Sequence, residues 1–131
     1  MTSLQDVALM RLVAQGLAGP PAPDAAAAVR GLAAVQGQDF PGAVTSVALR
    51  TAGHHRADVL AAMDDGTVVR SWPMRGTLHL LLAEDLPWML ELLGTRARAG
   101  LEKRRASLEL TGSDAERARE IVVAVLSGGR R

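Results

Sequence analysis

Apolar residues recur at helical spacing through the first half of the chain and predict four helices. The first of them is defined by Leu4, Val7, Met10, Ala14 and Leu17. Prolines and glycines in segment 19–23 end that helix, and Asp24 is a suitable N-cap for a second helix over about residues 25–35. Asp39-Phe40-Pro41 predicts the start of a third helix, because proline is tolerated in a first helical turn. A fourth helix is predicted over residues 57–63.

The period of the pattern then changes from helical to alternating. Two segments rich in β-branched and apolar residues, 67–72 and 76–82, are separated by Pro73, Met74 and Arg75. Two such segments with a short connection predict a β-hairpin, with Arg75 near its tip. Further helices are predicted over residues 84–93, over residues 95–107 and from Gly112 onward.

Three helices followed by a hairpin are typical of a winged helix, a helix-turn-helix with a β-hairpin wing. We therefore predict a mainly α fold with a β-hairpin, in which residues 1–93 form one winged-helix unit. Residues 94–131 are predicted to be a basic connecting helix and the start of a second unit. The final amphipathic helix has nothing after it to pack against, so we expect the chain to be truncated.

Composition excludes several classes of protein. The 131 residues contain no cysteine, which rules out disulfides and thiolate zinc sites. His54 and His55 are adjacent with no third ligand nearby, so neither a metal nor another cofactor is expected. No signal peptide or long apolar segment is present, which favours a soluble cytoplasmic protein without a membrane partner. Trp72 and Trp88 are expected to pack in the core.

Charge is unevenly distributed, although the net charge is only +1. Residues 1–93 contain 6 Lys/Arg and 9 Asp/Glu, whereas residues 94–131 contain 9 and 5. The basic cluster in the second part consists of Arg96, Arg98, Lys103, Arg104 and Arg105. These side chains are candidates for phosphate contacts with DNA, and a solvated helix face is the alternative.

Gln36 and Gln38 are the candidate catalytic residues. They stand one residue apart at the predicted end of the second helix. A glutamine side chain offers both a donor and an acceptor and can hold a water molecule. The alternative is a pair of helix-end amides bonded to nearby backbone. Asp39 either activates that water or caps the helix that follows.

The hairpin carries the other candidate contacts. Arg75 suits a phosphate or minor-groove contact, and the alternative is an ion pair with an acidic neighbour. Arg70 is expected to form such a pair, with Glu84 or Asp64. His79 lies in the second strand and is predicted either to contact DNA or the adjoining unit, or to be a hydrogen-bonded structural histidine.

Three strings of residues carry a resemblance to a known family. They are Val35-Gln36-Gly37-Gln38-Asp39, Arg70-Ser71-Trp72-Pro73-Met74-Arg75-Gly76-Thr77-Leu78-His79, and Ala83-Glu84-Asp85-Leu86-Pro87-Trp88-Met89-Leu90. From about Leu9 to Arg131 the chain resembles the N-terminal part of the bacterial winged helix DNA-binding domain family, which includes the AlkZ-like DNA glycosylases. The resemblance implies removal of alkylated bases from double-stranded DNA, including the unhooking of crosslinks.

The resemblance also assigns the catalytic motif. Glycosylase members carry Gln-x-Gln or Gln-x-Asp with an aliphatic middle residue, which maps onto Gln36 and Gln38. Gly37 departs from that pattern.

Three functions remain open from the sequence. The first is a DNA-repair hydrolase, a monofunctional DNA glycosylase whose activity needs the complete protein, so that the isolated 131 residues are expected to be inactive. The second is a DNA-binding module without catalysis, which the departure at Gly37 favours. The third is a protein-interaction domain, which the acidic balance of residues 1–93 favours. The oligomeric state stays open.

Overall fold

The computed structural model describes residues 2–99, 101–127 and 129, except for the side chains of residues 95–99, 102 and 103. The described residues are mainly helical with a small antiparallel sheet, which confirms the predicted combination of helices and a hairpin. The chain divides into two compact units, Met1–Thr95 and Arg96–Arg131. No described helix is long and apolar enough to cross a membrane.

In the first unit, two helices, a short strand and two further helices precede a β-hairpin. In sequence the elements are α1 (Leu4–Ala14), α2 (Ala25–Leu32), β1 (Val35–Gln36), α3 (Phe40–Ala48), α4 (Arg56–Asp64), β2 (Val68–Met74), β3 (Thr77–Leu82), a 3-10 turn (Ala83–Asp85), α5 (Leu86–Ala99), α6 (Leu101–Ser107) and α7 (Gly112–Leu126).

Local capping explains where the helices begin. The Asp24 carboxylate accepts a hydrogen bond from the Ala27 backbone N–H at 2.7 Å, which confirms the predicted N-cap of α2. α7 begins with a capping box in which Thr111 and Asp114 satisfy each other's backbone N–H groups. Those hydrogen bonds to Thr111 lower the pKa of Asp114 below its ordinary value.

The sequence did not predict β1. The second helix was expected to continue to Val35, but α2 ends at Leu32 because Ala33 has a positive φ of 60°. Val35 and Gln36 then pair with Leu80 and His79 of β3. Alanine-rich sequence favours a helix locally, but pairing with a strand more than 40 residues away overrides that preference.

The sheet has the order β1-β3-β2, so β3 is central and both outer strands run antiparallel to it. Helices α2, α3 and α4 contact one another, and α2 contacts β3 while α4 contacts β2. The core between the helices and the sheet consists of Ala25, Ala28, Val29, Val35, Ala43, Val44, Val47, Ala48, Val59, Val68, Leu80 and Leu82.

A β-bulge interrupts β2 near the tip of the hairpin. Ser71 pairs with His79 and Met74 pairs with Thr77, so two residues, Trp72 and Pro73, lie opposite Leu78 alone. Pro73 is buried, whereas Trp72 is 59% exposed. The predicted core position of Trp72 is therefore wrong, because the bulge turns the indole outward.

Trp88 also differs from the sequence prediction. It is 46% exposed, and its indole N–H donates to the Asp85 carboxylate at 2.8 Å. Asp85 stands three residues before Trp88, at the start of α5, so the pair is a local contact on the helix surface rather than part of the core.

The second unit contains an amphipathic helix, α7, whose apolar side chains are not buried. None of the residues of α7 is buried within the described structure. Its apolar residues Ile121, Val122, Val123, Val125 and Leu126 are each between 53% and 57% exposed.

Candidate active site

An open pocket of about 500 Å³ lies between β1 and the first turns of α3. It brings together both predicted catalytic residues and the residue that caps α3. The residues that line it are Val35, Gln36, Gln38, Asp39, Gly42, Ala43 and Ser46. The Asp39 cap fixes the start of α3, and pairing with β3 fixes β1. These contacts hold the two sides of the pocket in place.

Gln38 is engaged with the sheet. Its side-chain oxygen accepts a hydrogen bond from the Leu78 backbone N–H at 3.1 Å, while the Gly37 N–H donates to the Leu78 carbonyl at 2.7 Å. The side-chain amide thus replaces a backbone acceptor and extends the β1 pairing by one residue. One lone pair of the Gln38 oxygen is occupied, and its second lone pair and its NH2 group are left for a ligand.

Gln36 is placed differently. It lies on β1 opposite His79, its side chain is exposed, and within the described residues its carboxamide has no hydrogen-bond partner. The predicted position at a helix end is wrong, since this segment is a strand. An amide bonded to nearby backbone, the alternative considered for both glutamines, describes Gln38 and not Gln36.

Arg70 holds the residue between the two glutamines. Its Nε donates to the Gly37 carbonyl at 3.0 Å, and its guanidinium lies 5.2 Å from the centre of the Phe40 ring. The expected ion pair with Glu84 is therefore wrong, because Glu84 pairs with Arg30 at 2.7 Å. Sequence spacing gives no sign of this contact, since Arg70 and Gly37 are 33 residues apart.

Gly37 lies close against the central strand. A Cβ atom at this position would be 3.4 Å from the His79 carbonyl carbon and the Leu80 nitrogen, at the short end of ordinary van der Waals contact. Its φ is not in the left-handed region, so glycine is not required by backbone conformation. A side chain at position 37 would therefore contact β3, and glycine leaves that contact unmade.

Asp39 caps α3, as the sequence favoured. Its carboxylate accepts from the Gly42 backbone N–H at 3.2 Å, and it also lines the pocket. The cap uses one oxygen of the carboxylate, and a Cβ at Gly42 would clash with the other. A side chain at position 42 would therefore displace the cap, and glycine keeps this edge of the pocket open.

His79 is buried in the middle of the sheet, between Gln36 and Ser71. It is 4% exposed, and its Nδ1 lies 2.9 Å from the Thr77 carbonyl. A carbonyl only accepts, so Nδ1 carries the proton in this bond. This arrangement favours the structural interpretation and leaves little of the ring for a DNA contact.

The predicted basic contacts are distributed over both units. Arg75 is exposed at the tip of the hairpin, Arg104 is exposed on α6, and Arg105 is half-buried there. The side chains of Arg96, Arg98 and Lys103 lie outside the described residues. The described residues contain no group of three His, Asp or Glu placed to hold a metal ion.

The site is an open pocket at the edge of a small sheet in a mainly helical domain, and two side-chain amides line it. The chain is a member of the DNA glycosylase AlkZ-like family, whose sequence profile matches residues 29–131. The match confirms the family resemblance found in the three sequence strings.

A solved structure agrees with the family assignment. The chain is similar to the Streptomyces sahachiroi DNA glycosylase AlkZ, with 30% identity and a TM-score of 0.73 over 90% of this chain. The chain spans 32% of that protein's length. No curated protein sequence matches this chain.

Proposed function

We propose that this chain is the catalytic-motif-bearing part of a monofunctional DNA glycosylase that hydrolyses the N-glycosidic bond of alkylated purines, including those in crosslinks. The observation that carries the proposal is the pocket that Gln36 and Gln38 share in a chain of a DNA glycosylase family. Duplex DNA is the proposed partner, and no cofactor is required.

The proposed architecture is a winged helix formed by residues 1–93. The order of the elements supports this architecture, since they follow one another as α2, β1, α3, α4, β2 and β3. In addition, β1 pairs with the second strand of the hairpin. In this arrangement β2 and β3 form the wing, and α3 and α4 form the helix-turn-helix. Residues 94–131 are proposed as the basic connection to a second unit.

The chemistry of the substrate explains why amides suffice. A purine alkylated at N7 or N3 is cationic, so the bond to C1′ can break with its electron pair moving to the base and no proton supplied. The sugar then develops positive charge and is attacked by water, which loses its proton to solvent. The protein's task is to position that water and stabilise the sugar with oriented dipoles.

The two glutamines have separate tasks in this mechanism. Gln36 has its whole carboxamide free and is proposed to accept a hydrogen bond from the attacking water. Gln38 is fixed by Leu78, so its remaining lone pair has a defined direction toward the deoxyribose. Arg70 fixes the Gly37 carbonyl and so keeps the two amides at a constant separation.

The experiment is release of base from a duplex that carries N7-methylguanine. Because the chain spans only part of the matched glycosylase, the assay uses the complete gene product. Chromatography of the free base is expected to show N7-methylguanine released from the alkylated duplex, and no guanine released from an unmodified one. Absence of release, with intact folding, would contradict the proposal.

A second candidate is a DNA-binding module without catalysis, which Gly37 favours because the family's aliphatic contact with β3 is missing. Salt-sensitive duplex binding without base release would support it. A protein-interaction domain is a third candidate, and stable capture of a protein partner with no duplex binding would support that function.

A further inference from the structure

The tip of the hairpin carries an exposed aromatic side chain that the proposed reaction does not use. Trp72 is 59% exposed, although it stands next to the buried Pro73. Large aromatic side chains gain much from burial, so an outward indole is available for contact with a partner.

The bulge explains how the indole is held outward. Trp72 and Pro73 lie opposite Leu78, and β2 is an outer strand of the sheet. Proline has no N–H to give to a ladder and is accommodated at bulges and outer strands. Bulges commonly redirect a side chain beside a functional site. Pro73 thus fixes the backbone while Trp72 points to solvent.

The charge around Trp72 indicates a nucleic acid. Residues 67–82 contain two arginines, Arg70 and Arg75, and no acidic residue. Arg75 occupies the tip with a φ of 52°, followed by Gly76 at 70°. Asn or Gly adopts this left-handed conformation more easily, so an arginine there carries a backbone cost. Arg70 is bonded to Gly37, so Arg75 is the arginine of the hairpin that is available to a ligand. An aromatic ring near an available arginine is the combination that stacks on bases and binds phosphates.

The sheet also sets the distance between Trp72 and the pocket lined by Gln36 and Gln38. Leu78 bonds to the Gly37–Gln38 segment on one side and faces Trp72 on the other. Two strand spacings therefore separate Trp72 from that segment, roughly 10 Å. Base steps are about 3.4 Å apart along a strand. A base contacted by Trp72 is thus about three steps from the one in the pocket.

We propose that Trp72 stacks on a DNA base about three steps from the damaged nucleotide, while Arg75, three residues further along the hairpin, binds a phosphate. This inference rests on the proposed function, since it assumes that duplex DNA occupies the Gln36 and Gln38 pocket. Stacking by the hairpin stabilises a locally opened duplex, which is what access to a single nucleotide requires.

The test uses the intrinsic fluorescence of the two tryptophans, Trp72 and Trp88. In the Trp88→Phe variant Trp72 is the remaining indole, and in the matched Trp72→Phe variant it is Trp88. Each is titrated with a short duplex that contains one abasic-site analogue, and binding is followed independently by the anisotropy of a dye on the DNA. Circular dichroism confirms that both variants are folded.

We expect saturation to quench the emission of Trp72 in Trp88→Phe and to leave that of Trp88 in Trp72→Phe nearly unchanged. Trp72→Ala is expected to weaken duplex binding roughly 5- to 100-fold, and Trp88→Ala to change it by less than about twofold. Binding without quenching, and with equal affinity in Trp72→Ala, would overturn this inference and leave the proposed function standing. An absence of any anisotropy change would overturn this inference, whereas the proposed function is tested separately by base release from the complete gene product.

Discussion

The two ends of the three-stranded sheet differ in what covers them. At one end Val35, Leu80 and Leu82 are buried against α2, α3 and α4. At the other end Leu78 is bonded to Gln38 on one side and faces the exposed Trp72 on the other. The comparison teaches that the buried part of the sheet and the proposed site lie at opposite ends of the same strands. Substitutions at the covered end are expected to lower stability most, and those at the open end to affect the proposed action on DNA.

The largest effect is expected at the covered end. Leu80→Ala removes a side chain that is 0% exposed and leaves a cavity, so unfolding free energy is expected to fall by about 2–5 kcal/mol. Urea unfolding followed by circular dichroism measures it. Trp72→Ala at the open end is the control, with an expected change within about 0.5 kcal/mol. Equal losses in the two variants would break the comparison between the two ends.

A smaller effect separates the two glutamines. Gln38→Ala removes the acceptor of the Leu78 N–H and is expected to lower stability by about 0.5–1.5 kcal/mol. Gln36→Ala removes no hydrogen bond within the described residues, so its stability is expected to stay within about 0.5 kcal/mol of the parent. Thermal melting of both variants measures this difference in stability. Equal melting temperatures would contradict the assignment of a hydrogen bond to Gln38 alone.

The smallest effect concerns the tip of the hairpin. Arg75→Gln removes one positive charge from an exposed position without touching the core. The plot of log affinity for duplex DNA against log salt concentration is expected to become shallower, with the magnitude of its slope lower by about 1, as for one lost phosphate contact. Arg11→Gln, on α1, is a control that should leave the slope unchanged. The same slope in parent and Arg75→Gln would remove Arg75 from the interface.

The sequence predicted those parts of the fold that depend on neighbouring residues. Asp24 and Asp39 cap helices that begin immediately after them, and β2 and β3 lie next to each other in the chain. The family strings also contain Gln36 and Gln38, and the structure places both on one pocket. Each of these signals is contained in a short window of sequence.

The sequence could not predict the features that depend on long-range pairing. β1 exists because Val35 and Gln36 bond to β3, and an alanine-rich segment gives no local sign of that. Arg70 lacked the expected acidic partner because its nearest acceptor is a backbone carbonyl, which every residue carries. Trp72 was expected in the core because hydrophobicity alone does not reveal a bulge.

The rate of base release by the Gln36→Ala variant of the complete gene product tests the central claim most directly. Single-turnover release of N7-methylguanine is expected to fall roughly 10²–10³-fold relative to Gln5→Ala, a matched change on α1, with duplex affinity and melting temperature preserved. A rate in Gln36→Ala equal to that in Gln5→Ala would contradict the account, because the free amide beside the pocket would then have no part in the hydrolysis.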